Sequence, residues 1–350
     1  MSTTLVAPQS NLLQNRTALR SAEPGLYARD QAIRLGVSEA ELVALDEGRG
    51  AARLRPDWTA ILGEVHRLGP VMALTRNADA VHEKTGTYGT LEGGAHVGLF
   101  VGEAIDLRLF LSGWAHAWAV SAPAGRRSLQ FYGKDGAAVH KIFATPETDL
   151  GEWAALVERF AAAPDFEPAA VTPAPVPAAP TPDEAVDLPA FLSGWDGLRD
   201  THHFHGLLMR HKLARTQALR LAGPARARPV GLDSLRAVLT DAAATALPIM
   251  VFVGNRGCIQ IHTGPVERVE ARGPWFNVLD PGFNLHLRET AIDTAWVVAK
   301  PTDDGQVTSL ELFDAEGETI ATLFGRRKPG IPEDGTWRAL LDRLPGLSAP

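Results

Sequence analysis

The sequence predicts an α+β fold built as a tandem duplication. Three pairs of segments align in order between the two halves: ARDQAIRL at 28–35 with ARTQALRL at 214–221, IDLRLFLSGWAHAWAV at 105–120 with FNLHLRETAIDTAWVV at 283–298, and SLQFYGKDGAAVHKIF at 128–143 with SLELFDAEGETIATLF at 309–324. The offsets are 186, 178 and 181 residues. A nearly constant offset of this length indicates duplicated domains rather than a short-period solenoid.

Each half begins with helical segments. Apolar residues spaced three and four apart predict helices over 26–45 in the first half and over 188–222 in the second. Further helices are predicted at 57–68 and in LDSLRAVLTDAAATA, where Asp233 and Ser234 are candidate N-terminal caps.

A run of short strands follows the helices. The segments are rich in β-branched and aromatic residues and end at glycines or polar turns: PVMALTRN, HVGLFVG, IDLRLFL, HAWAV, SLQFYG and VHKIFAT. KDG and AEG are predicted hairpin turns because glycine tolerates the positive φ that such turns need. Each half then closes with a helix, GEWAALVERFAAA or GTWRALLDRL. This order predicts antiparallel sheets of the α+β class, not alternating βαβ units.

A proline- and alanine-rich segment, FEPAAVTPAPVPAAPTPDEAVDLP, separates the two halves. It lacks apolar periodicity, so it is predicted to be an extended, semi-rigid linker. The predicted domains are a first repeat at 1–163, a linker at 164–187 and a second repeat at 188–350.

The composition limits the classes of function. The formal net charge is −7, so a stable nucleic-acid partner is not expected. Cys258 is the only cysteine, which excludes a disulfide framework and a cysteine zinc cluster. No stretch reaches about 18 apolar residues, and the first residues do not resemble a signal peptide, so we expect a cytoplasmic protein without membrane insertion.

Histidines are concentrated in the segment RDTHHFHGLLMRHKLAR. His202 and His205 are three residues apart and therefore share a helix face, with His203 about 100° away around the helix. Imidazole is a common ligand of transition metals and of haem iron. An apolar run follows, so the segment predicts a metal or haem ligand, with surface histidines of no function as the alternative.

The duplication provides an internal comparison for these histidines. At the offset of 186 residues, His202, His203 and His205 fall opposite Arg16, Thr17 and Leu19. The first half therefore lacks them, which predicts one site per chain, in the second half.

Two basic positions are further candidates. Asp106, Arg108 and Phe110 alternate along one strand and should point to the same face, and His286 takes the place of Arg108 in the second half. Arg327 lies in the turn GRRKPG. Arginine pairs with carboxylates through two parallel hydrogen bonds, so both arginines are candidates to bind an acidic ligand.

Several segments together resemble the bacterial cytoplasmic haem-degrading or haemin-transport factors of the HemS/HmuS type. They are RNADAVHEKTGTY, IDLRLF, THHFHGLLMRHKLARTQALRLAG, NRGCIQIHTGP, WFNVLDPGFNLHLRE and FGRRKPGIPE, and they extend over about 25 to 335. The resemblance implies a tandem duplication with two large, stacked antiparallel β-sheets and flanking helices.

The resemblance also implies a site for one haem b at the second half's helix. Its axial histidine corresponds to His202, with His203 or His205 as the alternative iron ligand. The propionate-binding arginines correspond to Arg108 and Arg327.

Three further positions match pocket positions of the family: Phe324, Arg215 and Lys300. Phe110, on the same strand face as Arg108, is a fourth candidate to contact the haem. Many members have tyrosine at the position of Phe324, so this chain lacks a phenol hydrogen-bond donor there. The matching pair His82 and His262 recurs in both halves and is expected to serve the fold rather than the ligand.

The predicted function is to receive imported haem and carry it to a degrading enzyme, with a haem oxygenase or an inner-membrane haem importer as a partner. The alternative is an enzyme that cleaves the porphyrin itself with an external electron donor, since no GxGxxG motif for a nicotinamide cofactor is present. A zinc hydrolase using His202, His205 and Asp200 is a third reading, but its ligand spacing matches no established zinc site.

Overall fold

Two nine-stranded antiparallel sheets with flanking helices form the protein, which confirms the predicted fold class. The computed structural model describes residues 9–122, 125–176, 178–328 and 330–347. Within them, the helices are Gln9–Ala22 (α1), Ala28–Leu35 (α2), Glu39–Ala44 (α3), Trp58–Glu64 (α4), Leu150–Phe160 (α5), Leu188–Asp196 (α6), His203–His211 (α7), Arg215–Ala222 (α8), Ser234–Thr245 (α9) and Gly335–Asp342 (α10). The strands are Ala51–Arg53 (β1), Val71–Arg76 (β2), Ala80–Gly86 (β3), Glu92–Gly93 (β4), Val97–Phe100 (β5), Asp106–Phe110 (β6), Trp114–Ser121 (β7), Arg127–Gly133 (β8), Ala138–Ala144 (β9), Ala227–Val230 (β10), Ile249–Gly254 (β11), Cys258–Gly264 (β12), Val269–Arg272 (β13), Trp275–Asp280 (β14), Phe283–Arg288 (β15), Thr294–Thr302 (β16), Gly305–Phe313 (β17) and Thr319–Gly325 (β18).

The two halves exchange strands. The first sheet has the order β1-β7-β8-β9-β2-β3-β15-β14-β13, and the second has the order β10-β16-β17-β18-β11-β12-β6-β5-β4. Each sheet therefore takes six strands from one half and three from the other. As a result, Arg108, which belongs to the first half, lies in the sheet of the second half.

Two asparagines reinforce this exchange. The Asn77 side chain donates to the carbonyl of Ile320 at 2.8 Å, and the Asn255 side chain donates to the carbonyls of Arg76 and Val139 at 2.9 Å. Each asparagine thus ties a hairpin of its own half to strands of the other half. A buried carbonyl without a hydrogen-bond donor is unfavourable in free energy, and these amides supply donors where strands of the two halves meet.

The core lies between the sheets. One cluster joins strands of both sheets to α9 and α10, and a second joins strands of both sheets to α4 and α5. A third cluster covers part of the outer face of the second sheet, where α6, α7 and α8 pack on Trp296, Val298 and Phe313. The inner faces of the central strands are thus buried, whereas the outer faces are covered only in part.

Local sequence explains where the elements begin and turn. Ser38 and Glu41 form a capping box at α3, and Asp149 caps α5. Asp233 occupies the N-terminal cap position of α9, but its side chain makes no capping hydrogen bond, so that part of the capping prediction is wrong. The predicted hairpin turns have positive φ at Gly136 and Gly317, 71° and 78°, as expected.

The segment between the halves contains little regular structure, with one short 3₁₀ turn at Asp183–Ala185. The domain boundaries remain predictions, and residues 1–8 and 348–350 lie outside the described part. No helix within the described residues is long and apolar enough to cross a bilayer.

Candidate functional site

Strand register places most of the predicted site residues on one face. Directly paired positions run across six strands of the second sheet: Trp296, Glu311, Thr322, Phe252, Ile261 and Asp106. Since alternate residues of a strand share a face, Lys300, Phe324, Arg108 and Phe110 belong to the same outer face. It is also the face on which α6, α7 and α8 pack, so the helix with the histidines and the basic strand residues lie on one side of the sheet.

An apolar floor separates the helices from Arg108. Met250, Phe252, Ile259 and Phe324 are half-buried, and the rings of Phe252 and Phe324 meet edge to face with centroids 5.1 Å apart. Strands β18 and β6 are three positions apart in the sheet, which corresponds to about 14 Å at the usual strand spacing. This broad, shallow surface suits a flat apolar ligand.

Arg108 is held at the far side of this floor. Its guanidinium donates to the carboxylate of Asp106 on the same strand. Burial raises the pKa of Asp106, and the neighbouring Arg108 opposes that shift only in part. Phe110, two residues further, is 39% exposed and extends the apolar floor to the end of the strand. A ligand carboxylate that reached Arg108 would compete with Asp106 for it.

The three histidines stand at the start of α7. His202 is the residue before the helix, and its ring Nδ1 lies 2.5 Å from the Asp200 carboxylate, which also accepts from the His202 backbone N–H at 2.8 Å. Burial raises the pKa of Asp200, but the hydrogen bonds from His202 outweigh burial, and the pKa lies below its ordinary value. With its proton on Nδ1, where Asp200 accepts it, the His202 ring presents the Nε2 lone pair for a metal.

The opposite side of α7 is anchored in the protein. Phe204, Leu207 and Leu208 are buried in the cluster under the helices. The side chain of His202 is 85% exposed, and His203 and His205 are also exposed. All three imidazoles are thus accessible on a helix whose apolar side is fixed.

Arg215 and Lys300 do not stand free at the surface. Both donate to the buried carboxylate of Glu311, Arg215 through Nε at 2.7 Å and Lys300 through Nζ at 2.6 Å. Burial lowers the pKa of Lys300 to about 8, whereas the two cations outweigh burial and hold the pKa of Glu311 well below its usual range. The structure therefore places both predicted pocket residues beneath Phe204, as an ion cluster.

Arg327 follows β18 and approaches the turn between β16 and β17. Its guanidinium lies 3.9 Å from Asp304, and the neighbouring Asp303 accepts from Arg199 at 2.8 Å. Arg199 precedes His202 by three residues. The turn therefore brings the segment of Arg327 and the segment that leads into α7 to the same region of the protein.

The described residues of the first half, 9–122 and 125–163, contain no equivalent of this arrangement. Arg16, opposite His202 in the alignment, is a buried residue of α1, and its guanidinium donates to the backbone carbonyl of Leu42 and to both carboxylate oxygens of Asp46. It fixes α1 to the fold instead of presenting a ligand.

His82 and His262 lie in the interior. Their rings pack against Phe283, with centroids 4.9 Å and 3.8 Å from it, and burial lowers the pKa of His262 to about 3. This placement agrees with the predicted role in the fold. Among the described residues, no three histidine, cysteine, aspartate or glutamate side chains are grouped to hold a metal ion.

Sequence reasoning missed the floor and the carboxylate beneath the helices. Met250, Phe252 and Ile259 are half-buried and alternate with core residues along β11 and β12. The sequence shows this alternation, but only the order of the strands shows that the three side chains lie next to each other. Glu311 could have been found as the one charged residue in the apolar strand SLELF.

Comparisons with known proteins identify the family. The model described as haemin-degrading HemS.ChuX domain matches residues 36–160 and 212–344. The hemin transport protein HmuS of Yersinia pestis is 42% identical over 96% of this chain and 97% of its own length. The crystal structure of holo-PhuS, a heme-binding protein from Pseudomonas aeruginosa, matches with a TM-score of 0.94 at 48% identity, covering 97% of this chain and 100% of its own. The heme degrading enzyme ChuS of Escherichia coli O157:H7 matches with a TM-score of 0.89 at 38% identity, covering 96% of this chain and 99% of its own.

Proposed function

The chain belongs to the family of haemin-degrading HemS/ChuX domains, and from this premise we propose that it is a haem-binding protein that receives imported haem and passes it to a haem-degrading enzyme. The observation that carries the proposal is the outer face of the second sheet. There an apolar floor lies between Arg108 and a helix that presents three exposed imidazoles. Haem combines the same elements, a flat apolar ring, two carboxylates and an iron.

Each part of the site has a proposed partner on haem b. The ring would cover Phe252 and Phe324, and burying apolar surface stabilises a complex by ~25 cal/mol per Å². Arg108 and Arg327 would bind the propionates, and His202 would bind the iron through Nε2. Asp200 would keep the His202 ring oriented, as partners behind metal-bound histidines commonly do.

The exposure of the iron ligands suits a carrier. His203 and His205 lie within one turn of His202, so the iron has alternative ligands as it leaves. A haem oxygenase would be the acceptor and an inner-membrane haem importer the donor, which places the proposed activity in the cytoplasm.

The direct test of the iron ligand is His202→Ala. We expect the absorbance spectrum of the haem complex to change and haem to dissociate faster, because ligation would pass to His203 or His205. His66→Ala is the control, since His66 is an exposed histidine of the first half. A spectrum and dissociation rate equal to those of the parent would remove His202 from the site.

A second candidate is an enzyme that cleaves the porphyrin, favoured by the similarity to ChuS. The haem complex would be incubated with a reductant and catalase, in air and without oxygen. Loss of the Soret band with release of iron and a defined tetrapyrrole would support the enzyme. An unchanged band, with transfer to an added haem oxygenase, would support the carrier.

A further inference from the structure

A buried carboxylate connects the sheet to the helix that carries the histidines. Glu311 on β17 is fully buried. Its Oε1 accepts from Lys300 Nζ at 2.6 Å and from Ser309 Oγ at 3.0 Å, and its Oε2 accepts from Arg215 Nε at 2.7 Å. The carboxylate thus holds together β16, β17 and the first residue of α8.

Both cations also contact an aromatic ring of α7. Lys300 Nζ lies 4.6 Å from the centroid of the Phe204 ring, and the guanidinium carbon of Arg215 lies 5.1 Å from it. The Trp195 ring packs edge to face against the same ring, with centroids 4.7 Å apart. Phe204 is therefore held by two cation–π contacts and one aromatic contact, which are strongest where water is excluded.

The position of Phe204 determines where the imidazoles point. Phe204 stands between His203 and His205, and successive residues of a helix are about 100° apart. Together with the buried Leu207 and Leu208, the fixed ring sets the rotation of α7 about its axis, and with it the directions in which the three histidine side chains leave the backbone.

The first half shows that the fold does not require this carboxylate. Gln130 takes the place of Glu311 there, and its amide donates to Ser128 and accepts from Tyr132. Arg29, the equivalent of Arg215, donates to a backbone carbonyl instead. A neutral amide of the same shape thus satisfies the position, and the carboxylate occurs in the half that has the histidines.

We propose that Glu311 is a positioning residue for iron ligation: by holding Lys300 and Arg215 against Phe204, it fixes α7 so that His202 binds the iron in preference to its neighbours. This inference rests on the proposed haem binding. In this account, Arg215 and Lys300 act on the ligand through Phe204. Without the carboxylate, the buried Lys300 and the half-buried Arg215 would lie side by side with no counter-charge and would move away from the ring.

The test is Glu311→Gln, which reproduces the residue found in the first half. Its matched control is Glu39→Gln, because Glu39, the first residue of α3, is also a buried carboxylate between an arginine and a lysine, 2.5 Å from Arg76 and 3.7 Å from Lys141, and these two cations belong to the first sheet. Hydrogen exchange of the α7 amides is measured without haem. Electron paramagnetic resonance and the haem dissociation rate are then measured with ferric haem bound.

In Glu311→Gln we expect faster exchange in α7, a mixture of ligation states and haem dissociation about tenfold faster, the range found for residues behind metal ligands. Removing His203 and His205 together should alter the spectrum of the Glu311→Gln variant, in which they share the iron. The same removal should leave the spectrum of the parent unchanged, because His202 alone binds the iron there. Glu39→Gln should leave α7 exchange and ligation as in the parent.

Parent-like exchange in α7 and a single parent-like ligation state in Glu311→Gln would overturn the inference. If this variant fails to fold, Phe204→Leu provides the same test, because it removes the ring and keeps the ion cluster. Unchanged ligation in Phe204→Leu would also overturn it. If the parent itself does not bind haem, the proposed function fails, and the exchange data still report whether Glu311 fixes α7.

Discussion

Arg108 and Arg272 are matched side chains on different sheets. Each is a strand arginine paired with a carboxylate two residues earlier, Asp106 or Glu270, but only Arg108 lies on the face with the apolar floor. Only Arg108 can therefore contact a ligand on that floor, although both arginines pair with a carboxylate of their own strand.

We therefore expect Arg108→Ala to weaken haem retention. A hydrogen bond to a charged group contributes about 1.5–3 kcal/mol, so dissociation should become about tenfold faster or more. Haem transfer to excess apomyoglobin, followed by absorbance, measures this rate. Arg327→Ala should act in the same direction, and Arg272→Ala should match the parent. Equal rates in Arg108→Ala and Arg272→Ala would reject the propionate assignment.

Buried imidazoles make the stability of the protein sensitive to acid. His140 is bonded through Nδ1 to Thr75 at 2.9 Å and through Nε2 to Tyr88 at 2.6 Å, and burial lowers its pKa from 6.5 to about 3. Between these values the unfolded chain binds a proton that the folded chain does not. The free energy of unfolding should therefore fall as the pH drops from 6.5 towards 3, by up to about 1.4 kcal/mol per pH unit for each such histidine.

Urea unfolding at pH 6 and pH 5, above the range where most carboxylates titrate, measures this slope. His140→Gln should have a smaller slope than the parent, and His66→Gln, at an exposed site, should have the same slope as the parent. A His140→Gln slope equal to that of the parent would contradict the assignment.

At the scale of elements, the end of α9 contains a residue in an unfavourable conformation. Ala246 follows the helix with φ of 50°, a left-handed value that favours glycine. Ala246→Gly should raise the free energy of unfolding by about 1 kcal/mol. Ala237→Gly, at an exposed position inside the same helix, should lower it by about 1 kcal/mol. Both are measured by urea unfolding, and the same sign for both would contradict this reading.

Most of the helices and strands followed from the sequence, but α1 and β3 were not predicted, and neither were the pairing partners of the strands. The alternation of Asp106, Arg108 and Phe110 places them on one face, as the burial of the strand shows. The same pattern cannot show that β6 pairs with β12 of the other half, because register depends on contacts far apart in the sequence. Met250, Phe252, Ile259 and Glu311 were missed for this reason, since each acquires its role from neighbouring strands.

The whole molecule is organised by the strand exchange. In the second half alone, β12 would lose β6, and β15 would lose β3. The pairs β12–β6 and β3–β15 occupy equivalent positions in the two sheets. Strand β15 of one fragment can therefore take the place of β6 at the free edge of β12 on another, and unpaired edges promote such association. We expect the fragment 188–350 to form a strand-exchanged homodimer. Sedimentation velocity measures this, and a folded monomer at micromolar concentration would contradict it.

The central claim is that one haem lies on the outer face of the second sheet, between α7 and Arg108. Titration of the purified chain with haemin, followed at the Soret band, tests it most directly when the parent is compared with the double variant His202→Ala, Arg108→Ala. We expect a sharp endpoint at one haem per chain for the parent and weak uptake without a defined endpoint for the double variant. A parent that takes up no haemin, or a double variant with the same endpoint and affinity, would contradict it.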